Sequence, residues 1–261
     1  MLTVEEAEDG TILKILAGSH IHGLDVETSD RDEEAIIIET ISQAMGLENP
    51  FEELICESPE VDVKYVSLRK WCRLACKGNP NFLLPLFAPT SSILKCDARG
   101  SQLRDMAHLF VSKQAIKSHL GYMQGQRTRI VNHQQEFGRG GGRGQPRFAL
   151  IEKYGYDTKF AMHLLRLGLQ GVELLTHGYI TLPMGEPAKH RLLEVRQGLV
   201  PLPDVLAWAE ELEAEMKATY ETCALPVEPD YAAIEAFMLK CYIRKWTCDR
   251  AQQDMMEDRS Q

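Results

Sequence analysis

The sequence predicts an α+β protein: a small mixed sheet with flanking helices over residues 1–100, an all-helical region over 101–250, and a polar, disordered tail over 251–261. Three patterns carry this. Ile12, Leu13, Ile15 and Leu16 form an apolar run before Gly18-Ser19, and residues 35–38 form another just after Asp30 and Asp32. Residues 61–68, VDVKYVSL, alternate and are rich in β-formers. Residues 157–177, DTKFAMHLLRLGLQGVELLTH, carry apolar side chains nearly all the way round a helix, which places that helix in an interior.

The elements follow in order. Strands are expected at 11–17, 33–39 and 61–68, with a short helix near residues 41–45. Leu68, Trp71, Cys72 and Ala75 are spaced by three and four, so a helix follows the third strand and stops at Lys77-Gly78-Asn79-Pro80. Residues 79–89 are apolar but broken by prolines and read as one short helical turn on the sheet. Helices are expected at 101–110, 112–130, 157–177, 188–197, 204–220 and 231–246, and a short strand at 179–182. Asp157 or Thr158 can cap the 157–177 helix, and Gly178 can end it. Residues 136–149, EFGRGGGRGQPRFA, are too rich in glycine for either regular structure.

Bulk properties narrow the class. The chain has 261 residues, 44% hydrophobic and 26% charged, which fits an ordinary globular protein with a core that needs no disulfides. A net charge of −9 is not the footprint of a chain that binds nucleic acid over its whole surface, although a local basic face can do so. The seven cysteines include no CxxC pair and read as reduced thiols of a cytoplasmic protein. No apolar run reaches the ~20 residues that span a membrane, so no membrane partner is expected.

The chemistry concentrates between residues 16 and 38. Side chains two apart on a strand share a face, so a strand beginning at Asp30 would present Asp30 and Asp32 together, about 7 Å apart. Asp62 shares a face of the third strand with Lys64 and Val66. Three carboxylates on neighbouring strands suit divalent cations, because Mg²⁺ takes hard oxygen ligands and needs only one or two protein carboxylates plus substrate phosphates. Gly18-Ser19 offers a backbone N–H and a hydroxyl to a phosphate, with glycine permitting close approach. Lys159, His163, Arg166, Gln170, Glu173 and His177 recur at spacings of four and three and lie within ~80° of one another on their helix. The first three would bring positive charge to a triphosphate. Arg127, Arg129, Arg139, Arg143 and Arg147 form a candidate basic track for an RNA. His20 and His22 read as solvated loop histidines, Lys70 and Asn79 as structural, and the three tryptophans as core.

These residues resemble the polymerase-β-type nucleotidyltransferase superfamily, and within it the RNA-repair-pathway nucleotidyltransferases of bacteria and their phages. The likeness is carried by GSHIHGLDVETSDRDEE, by VKYVSLRKWCRLACKGNPN and by GYDTKFAMHLLRL. It implies that Asp30, Asp32 and Asp62 are catalytic metal ligands for Mg²⁺ or Mn²⁺. It implies that Gly18 and Ser19 meet the triphosphate of an NTP such as ATP, with further site roles for Lys159, His163 and Arg166. His22 departs from the family pattern, which has an aromatic Tyr there, and Pro85 stands where a Glu is expected. The activity implied is transfer of a nucleoside monophosphate to an acceptor hydroxyl, an RNA end being one acceptor. The alternatives are a non-catalytic nucleotide-binding sensor or interaction module, or transfer to a protein or small molecule.

Overall fold

The computed structural model describes residues 2–27, 29–47, 50–138 and 146–259, except for the side chains of 136–138, 146–147 and 251–259. The glycine-rich segment at 136–149, with Arg139, Arg143 and the side chain of Arg147, lies largely outside the described residues.

The chain begins with α1 (Val4–Gly10), whose Thr3 and Glu6 form a reciprocal capping box, and enters β1 (Thr11–Leu16). A single helical turn, α2 (Gly18–His22), leads to β2 (Asp32–Ile37). Then come α3 (Ile41–Met45), β3 (Glu53–Cys56) and β4 (Asp62–Ser67). Next are α4 (Leu68–Cys76), α5 (Pro80–Phe87), β5 (Ile93–Cys96), α6 (Ala98–Asp105) and α7 (Ala107–Phe110). The remainder is helical: α8 (Ala115–Gly138), α9 (Pro146–Tyr154), α10 (Thr158–His177), α11 (Ala188–Arg196), α12 (Leu202–Thr222) and α13 (Tyr231–Arg259).

The five strands form one sheet in the order β3-β4-β2-β1-β5. β2 and β4 run parallel, and the other neighbours are antiparallel, so the sheet is mixed as expected. Alternation decides which residue faces what. Ala35 and Ile37 of β2 pack with Val63 and Tyr65 of β4 beneath Leu2 and Ala7. Ile36 and Val66 face the larger core, beside Leu68, Trp71, Cys72 and Ala75 of α4. That second face continues as Asp32-Glu34-Ile36 and Asp62-Lys64-Val66, from charged at one end to apolar at the other. The same face therefore builds a site at its polar end and a core at its apolar end.

α10 is the axis of the helical region. Phe160, Leu164, Leu165 and Leu167 pack among α8, α11 and α12. A side chain at Gly168 would press on Leu212 and Met123, so its absence lets three helices approach. Asp157 accepts hydrogen bonds from the backbone N–H groups of Lys159 and Phe160, and Gly178 closes the helix at φ 75°. The last helix returns to the sheet. The Tyr242 hydroxyl bonds the buried Glu39 carboxylate at 3.0 and 3.1 Å, and Trp246 Nε1 donates to the Glu39 carbonyl.

Several local expectations change. β2 starts at Asp32, so Asp30 precedes the strand instead of sharing it. Gly18-Ser19 opens a helical turn. β3 and β5 are four-residue edge strands with too little alternation to be read beforehand. Residues 179–182 form no strand; Ile180 and Leu182 are buried in the core without a ladder partner. α13 extends to Arg259, beyond the end of its apolar pattern near residue 246.

Candidate active site

The parallel pairing of β2 and β4 sets Asp32 opposite Asp62. The chain is held there by two backbone bonds, Ala17 N–H to the Asp32 carbonyl at 2.8 Å and Asp62 N–H to the Arg31 carbonyl at 3.0 Å. Asp30, two residues upstream, is exposed at the mouth. Asp62 Oδ1 accepts from the Ser58 N–H at 3.2 Å, which fixes that carboxylate.

All eight residues singled out from the sequence, Gly18, Ser19, Asp30, Asp32, Asp62, Lys159, His163 and Arg166, line one cleft of about 550 Å³. Gly18 adopts φ 60°, and a Cβ there would overlap Asp32 Oδ2. Only glycine accepts both that left-handed conformation and that contact. Burial raises the Asp32 carboxyl above the usual carboxylate range, and the charges of Asp62 and Asp30 push the same way. Lys159 and His20 pull it back. The cleft end of the sheet thus carries an excess of negative charge on hard oxygens. Among the described residues no group of three or more His, Cys, Asp or Glu side chains is drawn together closely enough to hold a metal ion by itself.

Positive charge comes from α10. Lys159 and His163 are half-buried, and Arg166 is only 5% exposed. Arg166 Nη1 donates to His22 Nε2 at 2.7 Å and to Gln170 Oε1 at 2.9 Å, and Nη2 lies 3.4 Å from His163 Nδ1. None of these partners is an acid, and Arg166 Nε has no hydrogen-bond partner among the described residues. Burial lowers its guanidinium to about 10. Burial, followed by the charges of Arg166 and His163, also holds His22 well below the ordinary histidine range. A buried guanidinium with no carboxylate bonded to it among the described residues is an unmet demand for an anion.

The α10 stripe divides. Lys159, His163 and Arg166 face the cleft and Gln170 braces His22 from behind. Glu173 instead bonds Thr181, and His177 stacks on Tyr179 at the surface. Of the basic track, Arg127 is paired with Glu213 at 2.9 Å, while Arg129 lies over the Phe160 ring at 5.6 Å.

Sequence reasoning missed several cleft residues, His22, Glu34, Asn81 and Arg196 among them. His22 is buried, not solvated. Glu34 lines the cleft two residues beyond Asp32; its Oε1 has no donor, and burial raises its carboxyl to about 7. The alternation Asp32-x-Glu34 was the available signal. Asn81 and Arg196 also line the cleft, and only the packing of α5 and α11 brings them there.

No protein of curated function matches the chain. A solved structure, a nucleotidyltransferase-like protein from Exiguobacterium sibiricum 255-15, aligns over 90% of this chain and 71% of its own at 12% identity, with a TM-score of 0.30. Residues 2–240 match the RNA repair pathway DNA polymerase beta family, and the chain belongs to that family of nucleotidyltransferases.

Proposed function

We propose that the chain transfers a nucleoside monophosphate from an NTP to an acceptor hydroxyl, with an RNA end as the acceptor class, in a reaction that depends on Mg²⁺ or Mn²⁺. One observation carries this reading: Asp32 and Asp62 stand in register on β2 and β4, in the same cleft as Lys159, His163 and the uncompensated Arg166.

The donor set fits a divalent cation. Burial and the neighbouring charges of Asp62 and Asp30 raise the cost of ionising Asp32, carboxylate oxygens are hard ligands, and substrate phosphates complete the shell that Mg²⁺ prefers. Asp30, Asp32 and Asp62 would hold it, and the bound ion supplies charge neutralisation at the entering and leaving oxygens. The protein's own groups do the rest. Gly18 and Ser19 admit the phosphates close to the backbone. Lys159, His163 and Arg166 hold the β- and γ-phosphates, orienting the leaving pyrophosphate. The acceptor oxygen bonds to the α-phosphorus as the bond to the β-phosphate oxygen breaks. Asp62, with Oδ1 engaged by Ser58, takes the hydroxyl proton on Oδ2.

The test is transfer of label from each of four α-labelled NTPs, with Mg²⁺ or Mn²⁺, to a panel of oligoribonucleotides, proteins and small alcohols. Labelled RNA that disappears with Asp30→Ala/Asp32→Ala supports the proposal. NTP binding without transfer to any acceptor would replace it with a nucleotide sensor.

A further inference from the structure

The chain contains 38 Asp and Glu residues, yet none falls within 63–96 or within 106–135. The fold brings these two acid-free stretches together. Ser118 Oγ donates to the Lys77 carbonyl at 2.6 Å, and Asn79 Nδ2 donates to the Tyr122 hydroxyl at 2.8 Å. Along their junction, one face of α8 lines a groove of about 360 Å³.

The groove has the parts of a strand-binding track. Lys117 stands at one end and Arg129 at the other, both exposed, and neither has a carboxylate partner among the described residues. Arg127, on the neighbouring face, is neutralised by Glu213. Gly121 and Gly125 leave the floor open, since a side chain on either would meet nothing within 4 Å. The Tyr122 ring is 37% exposed between the two charges. Gln126 Oε1, buried in the groove wall, has no hydrogen-bond donor among the described residues.

Two contacts link the residues of the groove to neighbours of the cleft. Asn79, bonded to Tyr122, is two residues from Asn81, which lines the cleft. Arg129 covers Phe160, and the adjacent Lys159 lines the cleft.

We propose that this α8 groove holds the acceptor as single-stranded RNA, leading its end to the aspartates. Lys117 and Arg129 meet phosphates, and an unpaired base stacks on Tyr122. A duplex would keep its bases from the ring, so the strand is unpaired. This rests on the RNA-acceptor reading above.

The experiment is fluorescence anisotropy of the full chain with a labelled, unstructured oligoribonucleotide of about 12 nucleotides, a length suited to one such track. It is measured across a salt series, with binding of a fluorescent NTP in parallel. Lys117→Gln/Arg129→Gln should weaken RNA binding and flatten the log–log salt slope by about 1.4, at about 0.7 per phosphate contact. Tyr122→Ala should weaken it about tenfold, and Tyr122→Phe, which keeps the ring and loses the bond to Asn79, should bind as wild type. NTP binding should be unchanged in all three. Variants that bind RNA like wild type, a duplex that binds as tightly as the single strand, or loss of NTP binding in step with RNA would each overturn the groove. No RNA binding by wild type at low salt would also overturn it and leave the acid-free face to a protein partner. The two readings fail separately. RNA labelling that is indifferent to the groove variants removes the groove and keeps the transferase. The expected binding pattern with no transfer to any acceptor keeps the groove and removes the transferase.

Discussion

Asp32 and Asp62 face each other across the parallel ladder of β2 and β4, 30 residues apart in sequence and adjacent in register. Their position depends on a backbone pairing, so a change of side chain leaves it intact. Asp32→Asn and Asp62→Asn should therefore fold normally, keep NTP binding in the absence of metal, and lower the transfer rate by about 10²–10³. Single-turnover assays with an α-labelled NTP check this. Full activity in either variant would remove that carboxylate from the chemistry.

Arg166 has hydrogen bonds but, among the described residues, no ion-pair partner. Arg166→Met removes a desolvated cation and leaves His22 and Gln170, 3.2 Å apart, to satisfy one another. The variant should be more stable than wild type by about 1–3 kcal/mol in the absence of nucleotide. It should also lose the stabilisation that NTP confers, which for wild type at a hundredfold excess over Kd is about 2.7 kcal/mol. Thermal melts with and without NTP read both effects.

Gly18 is pinned by φ 60° and by Asp32 Oδ2. Gly18→Ala carries a backbone penalty of about 1–2 kcal/mol for the left-handed conformation. It also drives the Asp32 carboxylate from its place. The expected outcome is a modest fall in melting temperature with a disproportionate loss of turnover, measured on the same preparation.

His119 is fully buried between α8 and α10, with Nδ1 bonded to the Ala115 carbonyl at 2.9 Å. Burial lowers its pKa from 6.5 to about 4. The folded state therefore binds this proton less readily than the unfolded chain. The associated stability is complete above pH ~6.5 and is lost as the pH falls towards about 4, by up to about 1.4 kcal/mol per pH unit. Denaturant titrations over that window should show a shallower decline in His119→Leu than in wild type. Equal slopes would place the acid sensitivity elsewhere.

Much of the site could be read in one dimension because its spacing is local. Gly18-Ser19 and the alternation of VDVKYVSL each lie within a few residues, where local geometry dictates direction, whereas Asp30 falls before the strand that carries Asp32. The face Asp62-Lys64-Val66 emerged as expected for that reason. His22 shows the limit. It lies in a short segment of mixed polar and apolar residues, and the side chains that its ring bonds, Arg166 and Gln170, are more than 140 residues away. Edge strands β3 and β5 were invisible because four residues give alternation too little length to stand out.

By itself the sequence determined the three longer strands and the main helices, that Asp32 and Asp62 lie on the charged end of a sheet face, and that Lys159, His163 and Arg166 share one helix face. These are consequences of dihedral geometry and side-chain polarity within short windows. The tertiary structure alone decided that β2 and β4 pair in parallel with the aspartates in register. It alone left Arg166 without an acid and joined two acid-free stretches at Asn79 and Tyr122. Those outcomes depend on burial and contact between residues far apart in the chain, and such energies exist only once the helices have closed on the sheet.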